Sequence, residues 1–157
     1  MSRQQPIVFE TEVRQRFQFL VDAYHTAEPE YSELLLPGVL YKRPDLWVWV
    51  FLESGDGAGT GISVSVDLLR HDWPAKAELP DLVEAAEFAP RHHVTRKAHT
   101  PDAVRDTLDQ NAIWLRRLMP LLLSPEAEAL VRKATRQPLN RAGNPKPRNP
   151  NTKWKYA

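Results

Sequence analysis

Cysteine is absent from the 157-residue chain, which excludes disulfides, zinc–thiolate centres and a thiol nucleophile and points to a reducing compartment. Long apolar runs are missing too. No stretch approaches the roughly 20 apolar residues that a membrane-spanning helix needs. The opening Met1–Pro6 lacks the apolar core of a secretory signal. A cytoplasmic protein with no membrane segment is therefore expected. Acid is missing from one part of the chain. From Ala129 onward there is none, while eight basic residues lie there, which leaves 13 basic against 20 acidic residues in 1–128, a balance of −7. The overall net charge of +1 hides an acidic body with a basic end, which can bind that body or an acidic partner.

Hydrophobic content of 42% and charged content of 26% are those of a globular protein, and the length suits one domain. Phe9, Val13, Phe17, Leu20, Val21 and Tyr24 repeat at helical spacing, predicting an amphipathic helix over about 11–25. Residues 26–36 are ambiguous: Glu30–Leu36 reads as an added helical turn stopped by Pro37-Gly38. Residues 39–43 and 46–53 read as strands joined by a tight turn at Arg43-Pro44-Asp45-Leu46, with proline presetting φ. A glycine-rich loop at 54–61 leads to a third strand over 62–69, where Ile62, Val64, Val66 and Leu68 alternate with Ser63, Ser65 and Asp67. Residues 70–99 read as mostly irregular, with a short helix over 80–88. Thr100 is a good N-cap and Pro101 suits the first helical position. Val104, Leu108, Ala112, Leu115, Met119 and Leu122 then form a buried stripe that Pro120 should kink or end. Ser124-Pro125-Glu126 opens a last helix to about residue 136. The expected fold is α+β, with an N-terminal helix, a three-stranded antiparallel meander, C-terminal helices and an extended basic tail. The domain covers 1–137 and the Pro/Asn-rich tail 138–157.

Several chemistries fail on context. The glycine-rich loop joins strand to strand and carries Asp56, whereas a phosphate cradle runs from strand to helix and usually brings a lysine. The histidines (His25, His71, His92, His93, His99) have no i, i+4 pair to present two ligands together, so neither metal nor cofactor is expected. Asp67, flanked by Ser63 and Ser65, is the best single carboxylate. Glu84 and Glu87 read as solvated acids on a helix face. No nucleophile, base and orienting group assemble, so the chain reads as a non-enzyme.

The second strand points to binding. Leu46, Val48, Val50 and Leu52 face one side, and Trp47, Trp49 and Phe51 the other. If the aliphatic faces of strands two and three coincide under the helices, the aromatics lie beside Ser63, Ser65 and Asp67 as an apolar patch of interface character. The alternative is a three-layer core, with that face covered by the C-terminal helices, Trp73 or the tail. The tail offers Arg141, Lys146, Arg148, Lys153, Trp154, Lys155 and Tyr156 for docking on the body or a neighbour. The same residues could instead grip nucleic acid through phosphate contacts and stacking, although the acidic body would repel that backbone.

The order helix, meander, irregular segment, C-terminal helices resembles small bacterial immunity proteins of polymorphic toxin systems. The resemblance spans about residues 9–136 and is carried by Phe17-Gln18-Phe19-Leu20-Val21 with Tyr24, by Val39-Leu40-Tyr41 and by Val48-Trp49-Val50. It implies a non-enzymatic protein that binds a cognate toxin. It transfers no site residues, and the basic tail has no counterpart in it. The expected function is protein binding, as an immunity-type inhibitor or by self-association, with nucleic-acid binding through the tail as the alternative.

Overall fold

The computed structural model describes residues 8–33, 36–55, 59–69 and 75–135. The tail, Trp73, His71, Asp72 and the 137/138 boundary lie outside them. Five strands form one antiparallel sheet in chain order: β1 (Glu30–Ser32), β2 (Gly38–Arg43), β3 (Leu46–Gly55), β4 (Gly59–Leu68) and β5 (Ala75–Glu78). The expected meander is thus the centre of a wider sheet. β1, read from the sequence as a helical turn, pairs Tyr31 with Val39. β5, read as irregular, pairs Ala77 with Val66. Both are short edge strands whose period-2 pattern is too brief to register, and pairing with a central strand supplies the hydrogen bonds that hold them extended.

The central hairpins follow the local chemistry. Arg43 pairs with Leu46 across the Pro44-Asp45 turn, and Arg43 Nε donates to Asp45 Oδ1 at 2.7 Å, bracing it. β3 and β4 run further into the glycine-rich segment than expected, to a Gly55–Gly59 pair. That segment therefore joins strand to strand, as its context implied.

One side of the sheet is aliphatic. Val39, Tyr41, Val48, Val50, Ile62, Val64, Val66 and Leu68 are all essentially unexposed and belong to one core with the helices. Those helices are α1 (Phe9–Arg16), α2 (Phe19–Asp22), α3 (Leu79–Ala85), α4 (Pro101–Leu122) and α5 (Ala127–Thr135), with a 3-10 turn at Arg91–His93. The single helix expected over 11–25 starts earlier and breaks at Phe17-Gln18. A continuous helix would turn Phe17 and Phe19 about 200° apart. The break lets both bury, with ring centroids 6.1 Å apart. α4 begins as expected, the Thr100 hydroxyl accepting from the Ala103 N–H at 3.1 Å, and its predicted stripe is buried throughout. Pro120 does not end it. The helix runs two residues further, although proline has no N–H to donate to the Arg116 carbonyl. α5 starts at Ala127, after the Ser124 hydroxyl has accepted from the Glu126 N–H at 3.1 Å. Glu84, expected in solvent, is only 7% exposed: it lies on the face of α3 that also buries Leu82, Val83 and Ala85.

Candidate interaction face

The other side of the sheet gathers the six residues that the sequence singled out. Antiparallel register places Trp47 opposite Asp67, Trp49 opposite Ser65 and Phe51 opposite Ser63. β2 adds Lys42 opposite Trp47 and Leu40 opposite Trp49. Period-2 alternation alone dictates this, since Val48 and Val50 between the aromatics point into the core. Trp47, Trp49 and Phe51 are half-buried and lie outside the core cluster that packs against the helices, while Leu40 is buried at 6% exposure. The helical layer packs on the opposite face. Among the described residues, then, C-terminal helices do not cover the aromatic stripe; the parts of the alternative that invoked Trp73 or the tail fall outside those residues.

The polar members differ from a plain wet face. Ser63 and Ser65 are 2% and 1% exposed, because each short side chain stands between bulkier neighbours: Phe51 beside Ser63, and Trp49 and Glu78 on either side of Ser65. Among the described residues the Ser65 hydroxyl has no hydrogen-bond partner. Asp67 accepts from the indole N–H of Trp49 at 3.3 Å, so the carboxylate orients an aromatic ring instead of standing free for acid–base work. Lys42 Nζ lies 4.8 Å from the Trp47 ring centroid and 2.9 Å from Glu30. That arrangement holds one edge of the stripe by cation–π attraction and charge.

Arg96 completes the opposite edge and was not legible in the sequence. Its guanidinium lies 3.4 Å from Glu53, 3.6 Å from Glu78 and 3.4 Å from the Ser63 hydroxyl. These exposed pairs orient groups more than they stabilise the fold. The side chain is delivered by tertiary structure. Ile62 N–H donates to the Arg96 carbonyl at 2.7 Å, and Gly61 bridges Lys97, so the irregular segment continues the β4 edge beyond β5. A Cβ on Gly61 would come within 3.3 Å of that carbonyl, which explains the glycine. From the other side, buried Thr107 and Asn111 of α4 bond the Lys97 and Thr95 carbonyls at 3.0 and 2.9 Å. Gly38 plays a similar part next to Phe51, whose Cβ would lie 3.2 Å from an added one.

His92 and His93 are exposed, with rings perpendicular at 4.8 Å. Among the described residues no three His, Asp or Glu side chains are grouped to hold a metal ion, and no helix is long and apolar enough to cross a membrane. The tail residues Arg141, Lys146, Arg148, Lys153, Trp154, Lys155 and Tyr156 lie outside the described residues. Set against known proteins, the chain matches no family model, no curated protein and no solved structure.

Proposed function

We propose that the chain works by binding another protein through the Trp47–Trp49–Phe51 face of the sheet. One observation carries this reading. Three large, half-buried aromatics form an apolar surface separate from the core, on the face that the helices leave uncovered. Its borders hold the charged groups Lys42, Glu30, Arg96, Glu53 and Glu78. An apolar centre enriched in tryptophan with a charged rim is the anatomy of a protein interface. The Asp67–Trp49 and Lys42–Trp47 contacts preset ring positions, which lowers the ordering cost of association. The narrower form of the reading, an immunity-type inhibitor of a cognate toxin, rests on the helix and strand patterns of residues 9–136.

The test is affinity capture from the source organism with the full chain and with a Trp49→Ser/Phe51→Ser variant of unchanged melting temperature. A protein retained by the wild type and lost by the variant is expected, and growth inhibition by that protein, relieved on co-expression of the chain, identifies it as a toxin. The same proteins retained by both forms would place the binding surface elsewhere.

A further inference from the structure

The helical layer carries a second surface of different chemistry. α4 turns Ile113 outward at 61% exposure, a rare position for a large apolar side chain on an otherwise patterned helix. One turn on, Arg116 lies over the Phe19 ring at 4.6 Å, and Arg117 is held against both Phe88 and Trp114 at 4.8 and 4.9 Å. A cleft of about 620 Å³ opens between α1, α2 and α4, lined by Arg16, Phe19, Asp109, Ile113, Arg116 and Arg117 among others.

The three arginines are not equivalent. Arg16 is engaged, reaching Glu12 at 2.5 Å and Asp109 at 2.7 Å. Arg116 and Arg117 meet aromatic rings and, among the described residues, no carboxylate. A guanidinium laid on a ring keeps its N–H edge open, and its planar fork fits a carboxylate bidentately. The rings also hold it in place, so little freedom is left to lose on binding. Residues 1–128 carry a balance of −7, so an acidic partner is repelled by most of that stretch, and the open guanidiniums of Arg116 and Arg117 are a local exception. Asp109 at the margin and Ile113 beside it suit a peptide with an apolar side chain better than a polyphosphate backbone.

We infer that this cleft is a docking site for an acidic segment of a partner protein, with its carboxylates on Arg116 and Arg117 and an apolar side chain against Ile113. The site is separate from the aromatic sheet face, and neither reading depends on the other.

A phage-displayed library of random dodecapeptides panned on the full chain, and counter-selected on an Arg116→Gln/Arg117→Gln variant, tests the inference. Enriched peptides are expected to carry two or more acidic residues around an apolar one. Measured by fluorescence polarisation, their affinity should fall at least about tenfold in the double variant, as for lost charge-assisted bonds, and should weaken as salt rises. Ile113→Glu is a second variant at an exposed position that the fold does not need, and its added charge should abolish binding of the same peptides. The inference is overturned if no peptide is enriched over the double variant, or if enriched peptides lack acids. It is also overturned if Ile113→Glu binds like wild type, or if a single-stranded oligodeoxynucleotide binds as tightly as the peptides and is lost in the same variants.

Discussion

Single residues show where polarity was placed inside. Tyr41 is unexposed in the core, its ring 6.5 Å from that of Phe17, and among the described residues its hydroxyl has no hydrogen-bond partner. Burial pushes the phenol above its usual range, because the charged form cannot be solvated there. A buried hydroxyl without a partner costs desolvation and returns nothing. Tyr41→Phe is therefore expected to leave stability unchanged or raise it by up to about 1 kcal/mol, read from the denaturant midpoint. A clear loss would reveal a partner for the hydroxyl. The aromatic stripe belongs to this scale as well. That Trp47, Trp49 and Phe51 share a face with Ser63, Ser65 and Asp67 followed from alternation. That the serines are buried did not, since it depends on how large the cross-strand neighbours are.

Pairs of elements are held by patterned apolar faces and by charged clasps, of which the most buried joins two helices. In β4, Val64 is 1% exposed between Val50 and the helices. Val64→Asp places a charge without a partner in that interior and should cost at least about 3 kcal/mol. A variant that melts like wild type would show that this strand does not face the core. The clasp joins α1 to α4: Glu12 accepts from Arg16 at 2.5 Å and from Arg105 at 3.1 Å, and Arg16 reaches Asp109 at 2.7 Å. Burial alone would raise the Glu12 carboxyl, but the hydrogen bonds and charges of the two arginines outweigh it and hold it below the ordinary value of 4.5. The unfolded chain then binds this proton more readily than the folded one. The contribution is complete above 4.5 and is lost as pH falls through the lowered folded value. Glu12→Gln should flatten the dependence of melting temperature on pH below 4.5, while an unchanged acid limb would assign that dependence to other carboxylates. The broken first helix has its cause at this scale too, since the break at Phe17-Gln18 lets two aromatics two residues apart reach one core.

Across the whole molecule, the sheet separates the two candidate surfaces: the aromatic face on one side, the arginine cleft in the helical layer on the other. Substitutions this far apart without shared partners act independently. Trp49→Ser should leave acidic-peptide binding at the cleft unchanged, and Ile113→Glu should leave capture through the aromatic face unchanged. Loss of both functions in either variant would reveal coupling through the core. Sequence alone determined the central hairpins, the capped start of α4, its buried stripe and the aromatic stripe, because each arises from periodicity or capping within a few residues. Tertiary structure decided the rest. Glu30–Ser32 and Ala75–Glu78 are too short to declare themselves and became strands only beside β2 and β4. Arg96 reached the aromatic face because Gly61, Thr107 and Asn111 hold its segment there. Arg116 and Arg117 became a pair of open guanidiniums because Phe19 of α2 and Phe88 of the loop after α3 arrive beneath them, joining Trp114 of α4 itself. In each case the decisive neighbour is distant in the chain, and no local pattern records its approach.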